Sequence, residues 1–174
     1  MKIYIVRHGQ VNSNIKGVYN TKDEDLTDLG VKQALDTREK MKGINFDIVY
    51  SSPLKRAKHT AEIVTNGQKE IVFDNRLEER DCGSLCSQPL EVTDREEYWN
   101  YYSTIQYGTS ENVKEFFNRV FSFLDELKTE KYDSVLVVAH SGVSKAFSAY
   151  FEGVHTGLFL NRGLKNCEIK EYVL

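Results

Sequence analysis

Several features that would assign this chain to a familiar class are missing. Its three cysteines, Cys82, Cys86 and Cys167, are odd in number and match neither the paired spacing of a zinc site nor a disulfide framework. They are expected to be reduced thiols. No apolar run approaches the length of a membrane span, and the four apolar residues between Lys2 and Arg7 are too few for a secretory signal. A formal net charge of -3 gives no general attraction to nucleic acid, so any bound anion must be caught by a local cluster. Repeats, low-complexity tracts and linkers are also lacking. The expectation is a cytoplasmic protein whose residues 1–174 form a single domain, long enough to bury a core without metal or disulfide staples.

What is there begins with a strand that delivers a histidine. Ile3, Tyr4, Ile5 and Val6 are the β-branched and aromatic residues of a strand buried on both faces, and the run stops at Arg7, His8 and Gly9. In open α/β sheets ligands bind beyond such carboxyl ends. Asn12 to Asp25 is polar and reads as a loop over that edge. Thr27 is placed to cap a helix carrying Val31, Ala34, Leu35 and Met41 and ending at Gly43. Phe46 to Tyr50 reads as a second strand. Ser52 is expected to cap the next helix, with Pro53 in its first position, Ala57, Ala61 and Val64 facing the sheet, and Arg56 near a helix terminus that already favours anions.

Glu70 to Phe73 reads as a third strand, and Asp74 to Gly108 as an irregular lid or insertion with some helix, rich in aromatics at Tyr98, Trp99, Tyr101, Tyr102 and Tyr107. Ser110 opens the most regular helix, with Val113, Phe116, Phe117, Val120, Phe121, Leu124 and Leu127 at helical spacing. Val135 to Ala139 is another apolar strand, and it too ends in a histidine, His140, before Ser141 and Gly142. A helix from about Val143 to Phe151 and a closing edge strand within Asn166 to Val173 complete the chain. Strands alternating with helices predict an α/β fold of three layers, a mostly parallel sheet between helices with an antiparallel edge strand.

The polar groups expected at strand ends and helix starts are Arg7, His8, Arg56, His140 and a carboxylate, Glu78 or Glu79. Guanidinium groups bind phosphate oxygens bidentately and stay charged, and an imidazole adds a further donor. The set describes an anion pocket that contains a nucleophile. Longer blocks surround it: Val6-Arg7-His8-Gly9-Gln10 with Asn14; Leu26-Thr27 with Gly30 and Gln33-Ala34; Ser52-Pro53-Leu54-Lys55-Arg56-Ala57 with Thr60-Ala61; Leu77, Glu79 and Gly83; and Val138-Ala139-His140-Ser141-Gly142-Val143. In these blocks, over nearly its whole length, the chain resembles the histidine phosphatase superfamily, the phosphoglycerate-mutase-like proteins with an Arg-His-Gly motif.

The resemblance implies that His8 is the nucleophile and forms a phosphohistidine, that Arg7, Arg56 and His140 hold the phosphoryl oxygens, and that Asn14 adds a neutral donor. It implies Glu79, selected over Glu78 by family spacing, as the acid for the leaving oxygen. Neither cofactor nor metal is implied, and the partner expected is a small-molecule phosphate ester, with a homodimer left open. The chain also departs from the family pattern. Val11 stands where Thr or Ser is usual, Ser141 replaces a glycine but keeps a backbone N–H for phosphate, and Ser84-Leu85-Cys86-Ser87 lacks the usual aromatic-glutamate-glycine run.

Other readings compete with net hydrolysis. A cofactor-dependent phosphoglycerate mutase shares the pocket, but mutases of this family generally carry a longer insertion. A catalytically weak module that binds phosphate or phosphopeptide needs only the cations, and Glu79 is the residue that separates it from an enzyme. A serine-hydrolase elbow at His140-Ser141-Gly142 lacks the flanking glycines, since Ala139 and Val143 occupy those positions. A metal held by His8 and His140 would sit beside two arginines that repel it. His59 reads as a helix-surface residue, and His155 has no assigned role.

Overall fold

The computed structural model describes residues 1–155 and 157–174. Five strands form one sheet in the order β3-β2-β4-β1-β5: β1 (Lys2–Arg7), β2 (Ile48–Ser51), β3 (Ile71–Phe73), β4 (Ser134–Ala139) and β5 (Ile169–Val173). The pairs β1·β4, β2·β4 and β2·β3 are parallel, and β5 runs antiparallel to β1 at the edge. Among the described residues there are six α-helices: α1 (Asn12–Lys16), α2 (Asp28–Lys40), α3 (Lys55–Thr65), α4 (Arg95–Tyr98), α5 (Val113–Leu127) and α6 (Ser141–Glu152).

The layering follows from the two-residue period of the central strands. Along β4, Val135, Val137 and Ala139 join the core shared with α5 and α6, whereas Leu136 and Val138 join Met41, Ala61 and Val64 on the α2 and α3 side. In β1, Ile3 and Ile5 take the first face and Val6 the second. Two apolar faces need two helical layers, which is why these strands read as continuous apolar runs. The stripe of α5 is buried at Val113, Phe116, Phe117, Val120, Leu124 and Leu127, and Phe123 is buried where Phe121 was expected. Each such side chain contributes roughly 2 kcal/mol when removed from water.

Local signals differ from expectation in instructive places. Asn112, not Ser110, caps α5, its side chain accepting from the N–H groups of Lys114 and Glu115. Ser52 is not the cap of α3, whose N-cap position is Leu54 with no side-chain bond; the hydroxyl is used elsewhere, as described below. Leu35 is exposed and Thr37 is buried in α2, where Thr37 Oγ1 donates to the carbonyl of Cys167. The start of the expected loop after β1 is the helix α1. Thr27 caps α2, as its spacing to Gly30 predicts.

The cysteine reading is corrected. Cys82 and Cys86 form a disulfide, with Cα atoms 5.2 Å apart, and only Cys167 is free. A 3-10 turn at Gly83–Leu85 folds the chain back so that residues four apart meet, a closeness that spacing rules for longer frameworks do not register. No helix among the described residues is long and apolar enough to cross a membrane.

Candidate active site

Register brings the two histidines together. β1 and β4 are parallel neighbours with Arg7 opposite Ala139, so the next residue of each strand leaves the sheet at the same level. Neighbouring strands lie about 4.8 Å apart. The rings of His8 and His140 accordingly have centroids 5.2 Å apart, and the N–H of His8 donates to the carbonyl of Ala139 at 2.9 Å. β2 ends beside them, with Ser52 N–H on the carbonyl of Val138, and the turn into α3 then delivers Arg56 from its first turn.

Both imidazoles are buried, and their protonation is suppressed. His8 Nδ1 lies 2.7 Å from the carbonyl of Gly9, so Nδ1–H donates there and Nε2 retains its lone pair. Burial first, then the positive charges of Arg56 and Arg7, push His8 well below its ordinary value near 6.5. Burial and Arg56, followed by His8 and Arg7, do the same to His140. Nε2 of His140 meets Ser52 Oγ at 2.8 Å, while its buried Nδ1 has no partner.

The two guanidiniums are fixed by the main chain. Arg7 Nη1 donates to the carbonyl of Leu164 at 2.9 Å and Arg56 Nη1 to that of Thr21 at 2.8 Å, while each Nε is buried without a partner. Three orphaned buried nitrogens, on Arg7, Arg56 and His140, are the mark of a site that completes itself with an anion. Asn14 is held by accepting from Val11 N–H and from Asn166 Nδ2, each at 3.1 Å, which leaves its own amide N–H groups available. The Val11 position thus uses its backbone, where the family hydroxyl is missing.

Glu79 approaches from the segment between β3 and α4. Its carboxylate accepts from Gly142 N–H at 3.0 Å and from Arg80 N–H at 2.9 Å. A side chain at position 142 would collide with that carboxylate and with Trp99, so only glycine allows the approach. Arg119 of α5 supports it from behind, donating to the carbonyls of Glu78 at 2.9 Å and Glu79 at 3.1 Å. The expected lid is anchored by its own aromatics: Tyr98 and Trp99 are buried, with Trp99 edge-on to Phe116 of α5.

A cleft of about 440 Å³ opens over these groups, lined by Arg7, Asn14, Arg56, Glu79 and Ser141, and also by Glu78. That volume suits a small molecule. His59 lies apart, paired with Asp25 at 2.7 Å. Asp81, Cys82 and Cys86 place potential metal-ligand atoms within 4.8 Å of one another, but the two sulfurs are bonded to each other and offer no thiolate. Sequence reasoning did not single out Asn166, Ser52 as a partner of His140, Arg119 or Lys145. Lys145 left one signal, a lone charge among the small and apolar residues from Gly142 to Phe151.

Buried cations and neutral imidazoles at parallel strand ends make a site suited to a phosphoryl group. The chain belongs to the histidine phosphatase superfamily (branch 1), whose profile matches residues 3–174. It is 34% identical to a Hydrogenobacter thermophilus protein provisionally named phosphoserine phosphatase 2, over 98% of this chain and 88% of that one. It is 29% identical to the adenosylcobalamin/alpha-ribazole phosphatase of Escherichia coli, over 88% of this chain and 80% of that one. In fold it is similar to a phosphoserine phosphatase mutant of Entamoeba histolytica in complex with phosphoserine, with a TM-score of 0.85 at 23% identity, covering 99% and 90% of the two chains.

Proposed function

We propose that this chain hydrolyses phosphomonoesters of small organic molecules through a phosphohistidine on His8, with no metal taking part. The observation that carries the reading is the pinning of His8 Nδ1 on the Gly9 carbonyl, which keeps the nucleophilic lone pair on Nε2 of an imidazole that stays neutral. Nε2 bonds to phosphorus as the bond from phosphorus to the leaving oxygen breaks, and Glu79 gives that oxygen its proton. Water then attacks the phosphohistidine, Glu79 takes a proton from it, and the N–P bond breaks to release phosphate. Arg7, Arg56, His140 Nδ1, Asn14 and the N–H of Ser141 hold the equatorial oxygens, whose charge must be spread in the transition state.

Incubation with para-nitrophenyl phosphate, with His8→Ala as control and a chelator in parallel, tests the proposal. Release above the control that the chelator does not change, with an acid-labile phosphoenzyme trapped from a radiolabelled ester, is expected. No release above the control across sugar phosphates, nucleotides and phosphopeptides would leave a binding module. Exchange of phosphoglycerates dependent on 2,3-bisphosphoglycerate, with negligible phosphate release, would make the protein a mutase.

A further inference from the structure

Lys145 is a buried cation that phosphoryl chemistry leaves unused. It lies one turn into α6, is 4% exposed, and lines the cleft together with Ser141 and Trp99. Its ammonium donates to the carbonyl of Leu160 at 2.5 Å and lies 5.1 Å from the centre of the Trp99 ring. Among the described residues no carboxylate comes within ion-pair distance of it. A desolvated ammonium with one carbonyl acceptor is a costly arrangement, and an anion is what would complete it.

Two neighbouring features are consistent with a place kept for a ligand. Trp99 Nε1 is also buried without an acceptor, so two touching side chains of the cleft both carry unused N–H groups. Gly163 faces the same spot, where a side chain would press on Ser141 Oγ and on Lys145 Nζ. One positive charge and an adjacent neutral donor match a monoanion with two acceptor oxygens. We propose that Lys145 binds a carboxylate carried by the leaving group, so that the substrates of this enzyme are phosphomonoesters of hydroxy acids. The inference rests on the phosphatase reading above and deepens it.

The test compares pairs of esters that differ in the carboxylate: 3-phosphoglycerate against glycerol 3-phosphate, and O-phosphoserine against O-phosphoethanolamine. In the unaltered protein kcat/KM is higher for the acid of each pair, and Lys145→Met lowers that ratio by about 10- to 100-fold, chiefly through KM. A packing role for Lys145 lowers both members of a pair and leaves the ratio unchanged, which overturns the proposal, as does an unaltered enzyme with no preference.

The unaltered protein supplies a second readout should the variant fail to fold. Burial brings the Lys145 amine down to about 8, against the raising effect of Glu79 and with the lowering effects of Arg95 of α4 and Arg7 of β1. The acid preference therefore declines as pH rises from 7 to 9, while other titrations cancel in the ratio; a constant ratio counts against Lys145. If no ester is hydrolysed above the His8→Ala background, the phosphatase reading has failed by itself. Calorimetric titration of 3-phosphoglycerate against glycerol 3-phosphate then decides the role of Lys145, with equal affinities refuting it.

Discussion

The carboxylate of Glu79 accepts a hydrogen bond at 3.0 Å from the N–H of Gly142, in the first turn of α6 and 63 residues further along the chain. The contact joins the irregular segment to the helix that follows His140. Gly142→Ala places a methyl group where the carboxylate and the Trp99 ring lie. If Glu79 is the proton donor, kcat falls by about 100-fold for alkyl phosphates and much less for para-nitrophenyl phosphate, whose leaving group needs no proton. Equal losses on the two esters would remove Glu79 from that role.

Arg119 supports the same acid through the main chain, with Nη2 3.1 Å from the carbonyl of Glu79 and Nε 2.7 Å from Glu111. Arg119→Lys keeps the charge but not the planar fork that reaches several acceptors at once. Turnover of alkyl phosphates is expected to drop about tenfold, on the scale of a charge-assisted hydrogen bond, with KM little changed. A shift in KM alone would argue that Arg119 shapes the cleft and does not position Glu79.

Ser52 Oγ accepts from Leu54 N–H at 3.2 Å, which leaves its hydroxyl proton for Nε2 of His140. That bond makes Nε2 the acceptor and puts the ring proton on Nδ1, the atom without a protein partner. Ser52→Ala is expected to cost about tenfold in kcat, with Ser52→Thr restoring part of it. Nitrogen chemical shifts of His140 check the tautomer directly, and an unchanged tautomer in Ser52→Ala would rule this role out.

Both site histidines are held neutral when folded, and this sets a pH dependence of stability. In the unfolded chain each takes up a proton near pH 6.5, whereas the folded values lie well below it. The unfolded state therefore binds more protons below 6.5. Stability contributed by these groups is present in full above that pH and is lost as pH falls from 6.5 toward the folded values, by up to roughly tenfold in the folding constant per pH unit for each ring. Urea midpoints between pH 7.5 and 5 measure it, and His140→Phe is expected to flatten the curve. A midpoint that already stays constant in the unaltered protein contradicts the assignment.

The sequence alone determined the elements and their order, because apolar runs such as Val135 to Ala139 and the stripe of α5 can be buried in few ways. It also supplied Arg7, His8, Arg56 and His140 as polar residues at the ends of those elements. Tertiary structure decided what depends on approach between distant segments: the pairing of Ser52 with His140, the reach of Glu79 to Gly142, the grip of Arg119 and the burial of Lys145. Periodicity records which face of an element is buried but not which side chain of another element meets it. The Cys82–Cys86 bond belongs to the second group, since a single turn of backbone, invisible to spacing rules, brings the two sulfurs together.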